Sequence, residues 1–175
     1  NAYIGQANVL IAFQNINGYG NKLYLDNINL TGTCTSPTLP TISATSATIC
    51  SGQSTTLNVN AGSLNSATSW YWYSGSCGGT LVGNGNSISV SPTSTTSYFA
   101  RGEGNCVLPA NCSSTTITVN PLPTVTANNV SGCIGAPIVL TGSPAGGVYS
   151  LPNPYSGPAT TYTHTFTDGN GCTGV

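Results

Sequence analysis

Apolar and polar positions alternate in short bursts along this chain. The sharpest burst is Ser69-Trp70-Tyr71-Trp72-Tyr73-Ser74, which runs into the turn Gly75-Ser76-Cys77-Gly78-Gly79-Thr80. A period of two marks a strand, so Trp70 and Trp72 point to one face and Tyr71 and Tyr73 to the other. Two indoles on one face bring more apolar area than any other stretch, which makes this the central core strand of a β-sandwich. An aromatic platform for a sugar or peptide is the competing use of the same residues. Similar alternation predicts strands over Thr41–Thr48, Ser54–Asn60 (Leu57 and Val59 inward), Ser97–Arg101 and Thr115–Val119, with Thr80–Val82 and Ser87–Ser91 as short edge strands.

Strands of this length, spaced about ten residues apart with turn signals between them, predict an immunoglobulin-like sandwich over residues 41–120. Neither strand that would carry the inter-sheet bridge of antibody domains has a cysteine inside it. Upstream, Asn8–Phe13 and Lys22–Leu30 are strand-like and flank a turn, but two strands cannot bury a core. Residues 1–32 therefore read as the closing strands of an upstream domain, and 33–40, with Cys34, Pro37 and Pro40, as a linker. Pro121-Leu122-Pro123 opens a second unit over 121–175. There Gly132-Cys133-Ile134-Gly135 echoes Ile49-Cys50-Ser51-Gly52, and Thr161-Tyr162-Thr163-His164 echoes Ser97-Tyr98-Phe99-Ala100. The expected fold is all-β, with tandem sandwiches, the second incomplete at its C-terminus. Its missing strand is expected from following sequence or from a neighbouring molecule, because an incomplete sandwich leaves an open sheet edge. The absence of an initial Met and the abrupt end at Val175 suggest a piece of a longer chain.

Composition changes the picture of the surface. Of 175 residues only five are charged at neutral pH (Lys22, Asp26, Arg101, Glu103 and Asp168), and the one histidine is His164. Disorder does not follow, because disordered chains are charged and poor in β-branched and aromatic residues. The surface is instead expected to be Thr, Ser and Asn, which suits a chain packed in an array or filament. Two basic residues cannot neutralise a row of phosphates, so nucleic acid is excluded as a partner. No run of about 18 apolar residues predicts a membrane span.

The seven cysteines, without zinc-site spacing, predict disulfides and an oxidising compartment. Cys50 precedes one strand and Cys77 follows another at the same pole of a Greek-key sandwich, while Cys106 and Cys112 fall in one loop at the opposite pole. The expected bridges are Cys50–Cys77 and Cys106–Cys112, out of three possible pairings of these four cysteines. Cys133 and Cys172 are expected to pair within the second unit, or alternatively between adjacent units, leaving Cys34 for a partner upstream.

No catalytic constellation is visible. The three carboxylates lie in separate units or loops, away from the paired arrangement that glycoside hydrolysis needs. His164 alternates with Tyr162 and Phe166, as a partly buried sandwich histidine does. Trp70, Trp72, Tyr98 and Tyr162 are the candidate core aromatics. Arg101 and Glu103 suggest a local surface ion pair. Asp26 is a candidate ligand for a structural Ca²⁺, against the commoner use of such an Asp to accept backbone N–H bonds. Asp168-Gly169-Asn170-Gly171 reads as a hairpin turn, with Ca²⁺ binding as the alternative. No other cofactor is expected. Asn29 and Asn111 match the N-glycosylation pattern.

Two resemblances add to this reading. Gly20–Leu30 resembles the closing strand of jelly-roll modules in secreted Bacteroidetes proteins. The combination of Ile49–Gly52, Trp72–Gly79, Ser89–Tyr98 and Ile117–Pro121 resembles the Ig-like repeats of large Bacteroidetes surface proteins, and Thr165–Cys172 is similar to their PKD-like relatives. These resemblances imply export by the type IX route and a place at the cell surface, as an adhesin, stalk or filament. The expected function is a non-catalytic structural or adhesive module that partners copies of itself or neighbouring repeats. The alternative is a carbohydrate- or protein-binding accessory region of a secreted enzyme whose catalytic domain lies upstream. Burial of Tyr71, Tyr73 and Tyr155 discriminates between the two.

Overall fold

The structure is a computed structural model and describes residues 34–104 and 111–175. Asp26, Asn29, Cys106 and the expected jelly-roll strands lie outside the described residues. All regular structure among the described residues is β, as β1 (Thr41–Ala44), β2 (Thr48–Cys50), β3 (Thr55–Ala61), β4 (Ser69–Ser74), β5 (Thr80–Asn84), β6 (Ser87–Val90), β7 (Thr96–Glu103) and β8 (Ser113–Asn120). Five further strands of two to four residues follow: β9 (Thr126–Ala127), β10 (Gly142–Ser143), β11 (Val148–Tyr149), β12 (His164–Thr167) and β13 (Thr173–Gly174).

Strands β1 to β8 form the two sheets of an Ig-like sandwich, ordered β1-β3-β6 and β2-β8-β7-β4-β5. The single strand expected over Thr41–Thr48 is in fact two. β1 belongs to the three-stranded sheet, whereas β2 runs parallel to β8 in the five-stranded one, with Ile49 opposite Val119. The chain changes sheets at Thr45-Ser46-Ala47, where main-chain groups lose their regular ladder. Thr55, only 4% exposed, replaces that ladder: its hydroxyl accepts from the Ser46 N–H at 3.0 Å and donates to the Ser46 carbonyl at 2.9 Å. Thr45 N–H bonds Thr56 O, and Ala47 O receives Thr118 N–H. Both main-chain groups of Ser46 are thus satisfied by one buried β-branched side chain that also suits a strand.

By its contacts the chain divides into two compact units. One comprises the described residues through Ser43 with Leu57–Ile88 and Ser97–Thr115; the other comprises Ala44–Thr56, Ser89–Thr96 and Thr116–Val175.

The first unit is organised on β4. Trp70 and Trp72 are 4% and 0% exposed, and antiparallel pairing sets them directly opposite Gly102 and Ala100 of β7. Small residues across the ladder leave room for the indoles, which is the sheet's version of large-against-small packing. The Trp72 indole N–H donates to Gly85 O at 2.9 Å, so the buried ring leaves no polar group unpaired. Trp70 reaches Gly62, just past β3, where an added Cβ would sit 3.1 Å from the indole and where φ is +133°. Both close approach and backbone conformation therefore call for glycine there. Leu57, Tyr98 and Ala100 complete this core. Edge strand β5 carries a bulge: Trp72 faces Gly83 and Tyr73 faces Leu81, leaving Val82 without an opposite residue. Bulged edges resist pairing with other chains.

The second unit buries Ile49, Cys50, Val90, Ile117, Leu140 and Cys172. Its own small sheets pair β9 with β10 and β11 with β12 and β13. Ile138 and Tyr155 form a further antiparallel bridge, with both main-chain bonds made at 2.7 and 2.8 Å.

The sheet switch yields a test. Thr55→Val keeps shape but removes both bonds to Ser46, and is expected to cost about 1–2 kcal/mol in chemical denaturation, with Thr55→Ser recovering most of it. A valine variant as stable as the parent would show that Thr55 does not hold the switch.

Candidate functional site

The outer face of β4 and β7 gathers the only ion pair among the described residues. On this face Tyr71 lies opposite Arg101, Ser69 opposite Glu103 and Tyr73 opposite Phe99, so Tyr73 is a diagonal neighbour of Arg101, and Glu103 is the next residue on that face of β7. Arg101 Nε meets Glu103 Oε1 at 2.5 Å, and the Tyr73 hydroxyl donates to the same oxygen at 2.6 Å. The guanidinium also lies over the Tyr73 ring, 5.1 Å from its centroid. The two charged side chains are 15% and 20% exposed, so the expected surface pair is in fact half-buried. Burial pushes the Tyr73 pKa up, and the Glu103 carboxylate beside it pushes further in the same direction. Burial works to lower the Arg101 pKa, but its bonds to Glu103 and Tyr73 outweigh that and hold it above its ordinary value.

The loop after β4 folds back over this group. An added Cβ on Gly78 would lie 3.1 Å from Arg101 Nη2, and Arg101 Nη1 is 3.6 Å from Cys77 Sγ. Cys77 is bridged to Cys112, with Cα atoms 5.7 Å apart. Cys50 is bridged to Cys172 across a sequence separation of 122 residues, Cα to Cα 5.5 Å. These bonds replace the expected Cys50–Cys77, Cys106–Cys112 and Cys133–Cys172 pairs, and Cys172 takes its expected alternative, a bond into the 41–120 stretch. The expectation assigned each cysteine to the pole at which its strand ends, but the loop at 75–79 lies along the sheet and brings Cys77 to the start of β8. Cys34 is also disulfide-bonded. Cys133 is a free, exposed thiol.

His164 is 2% exposed on β12, stacked on Tyr149 with centroids 4.7 Å apart. Its Nδ1 lies 3.3 Å from Thr126 O, and Nε2 has no hydrogen-bond partner. Side chains at Gly142 and Gly147 would collide with the imidazole ring, so the two glycines make its slot. Asp168 closes the β12–β13 hairpin: Oδ1 accepts from the Cys172 N–H at 2.8 Å and the Asn170 N–H at 2.9 Å. The Cys172 N–H bond is the main reason that its pKa is held below the ordinary 3.8.

These placements sort the residues singled out by sequence. Trp70, Trp72 and Tyr98 are buried, and Tyr162 is half-buried with its hydroxyl on Asn128 O and, at 2.9 Å, on Thr141 O. Tyr73 is buried, whereas Tyr71 and Tyr155 are half-buried. Glu103 is paired with Arg101 and Asp168 with the main chain of its own hairpin, and among the described residues no three His, Cys, Asp or Glu side chains converge as metal ligands. Among those residues, too, no helix is long and apolar enough to cross a membrane. The role of Thr55 was missed from sequence. Its signal was a polar residue on the same strand face as Leu57.

Residues 37–121, which span β1 to β8, match the family model described as "Ig-like domain CHU_C associated". No curated protein matches the chain.

The titrating groups set the pH limits of this arrangement. The folded protein holds the Tyr73 proton more tightly than the unfolded chain, so this contribution is complete below pH 10.0 and is lost as pH rises beyond it. Asp168 acts in the opposite direction: its contribution is complete above 3.8 and is lost as pH falls below that value. Glu103→Gln is expected to move the Tyr73 titration down toward 10.0, read as the difference in phenolate absorbance between variant and parent. Identical titration curves would contradict the Tyr73–Glu103 bond.

Proposed function

We propose that the chain, whose residues 37–121 match an Ig-like domain model, is a non-catalytic part of a bacterial surface protein of the Bacteroidetes type, a stalk, filament or adhesive segment. Domains of this family are generally non-catalytic, and a disulfide-bonded one suggests an extracellular location. The reading extends to export by the type IX route. It takes 41–120 and 121–175 as successive units, and copies of the same chain or its neighbouring repeats as partners. It requires no cofactor.

One observation carries the proposal. Every charge among the described residues is already engaged internally: Arg101 with Glu103, and Asp168 with its own hairpin. What remains outside is a face of hydroxyls and amides with some exposed apolar side chains, such as Leu81 at 56% and Ile134 at 84% exposed. Two such faces meet without stripping water from unpaired charges, the costliest step in association. Low net charge also removes the repulsion that keeps soluble chains apart.

Electron microscopy of native material released from the cell surface tests this. The expected result is ordered fibres whose repeat matches one or two sandwich lengths. Discrete single particles would overturn the assembly reading.

A further inference from the structure

Within the second unit, the segments 127–134 and 157–162 enclose a groove of ≈ 390 Å³. Ile138, Leu140, Tyr155 and Tyr162 supply its apolar wall, and Asn129 and Thr160 add an amide and a hydroxyl. Its volume lies in the range of small-ligand sites, about 300–1,000 Å³. We propose that this groove binds a neutral oligosaccharide.

The two tyrosines are held ready for such a ligand. The Tyr155 hydroxyl donates to Pro158 O at 2.9 Å, and the Tyr162 hydroxyl is engaged by the carbonyls of Asn128 and Thr141. With both hydroxyls occupied by main chain, the side chains offer ring surface rather than a polar tip, and each remains half-buried rather than sealed in the core. Sugar rings carry C–H faces that pack on aromatic surface, together with hydroxyls that exchange hydrogen bonds with amides and other hydroxyls. Anchored rings lose little freedom on binding.

Charge and main-chain pairing narrow the ligand further. No Asp, Glu, Lys, Arg or His lines the groove, so a sulfated, phosphorylated or cationic ligand would lose its hydration without gaining a counter-charge. A peptide adding as a strand needs unpaired main chain, and the isolated β-bridge in the groove wall, Ile138 with Tyr155, offers none because each already satisfies the other in both directions. The proposal goes beyond the assembly reading, and either stands if the other fails.

Calorimetry on the full 175-residue chain tests it. The probes are neutral hexasaccharide fragments of α- and β-linked glucans, a xylan and a mannan, with a sulfated oligosaccharide and a Thr-rich peptide as controls. Cys133, a free thiol in the groove wall, supplies a second readout through its rate of alkylation by iodoacetamide. At least one neutral probe is expected to bind with an affinity insensitive to salt and to slow that alkylation. Tyr155→Leu is expected to weaken binding about tenfold or more, whereas Tyr155→Phe, which keeps the ring, stays within about threefold of the parent. If Tyr155→Leu does not fold, Asn129→Ala at an exposed position takes its place, with weaker binding expected. The proposal is overturned by no neutral probe binding at millimolar concentration, by binding that leaves Cys133 alkylation unchanged, by indifference to these substitutions, or by preference for the sulfated or peptide control.

Discussion

The bond between Cys50 and Cys172 is the constraint on which the C-terminal part of this molecule depends. Beyond Pro121 the strands are two to four residues long, too short to bury a core between them. Few side chains in that stretch are buried: Leu140, His164 and Cys172. Cys172 sits directly after the Asp168 hairpin, which fixes its backbone through the N–H bond to Oδ1. Cys50 is held on β2 by the parallel ladder with β8 and by its own N–H bond to Gln53 Oε1 at 3.0 Å. The covalent link thus joins two places that are each independently ordered. A cross-link closing so long a loop removes more unfolded-state freedom than a short-range one, by about 4–5 kcal/mol in the chain-entropy account.

Scarcity of charge explains much of the remaining architecture. A chain with five charged side chains cannot rely on surface ion pairs, and the described ones are used where several bonds converge on each. Glu103 Oε1 receives both Arg101 and Tyr73, while Asp168 receives two main-chain N–H groups. Hydroxyls take over elsewhere, as at the Thr55 switch. The consequence for function is a neutral exterior, with apolar and amide chemistry as its means of recognition.

Much of the sandwich was legible in the sequence because its signals are local. The Trp70–Tyr73 alternation, the inward Leu57 and the Thr-rich β8 each state strand and facing within a few residues. The Thr41–Thr48 run misled because β propensity says that a segment is extended, not which sheet it joins; that choice was made by Ser46 and Thr55 at a distance. The cystines misled for a related reason. Assigning cysteines to strand ends assumes that loops stay at their pole, whereas the loop carrying Cys77 lies along the sheet against Arg101. The unpartnered Nε2 of His164 and its glycine slot left no trace in sequence, because Gly142 and Gly147 come from segments distant from β12.

Mass spectrometry of peptides from the non-reduced protein tests the central claim most directly. A Cys50 peptide linked to a Cys172 peptide, with Cys133 recovered as a free thiol, is the predicted result. A Cys133–Cys172 or Cys50–Cys77 link in its place would contradict the account.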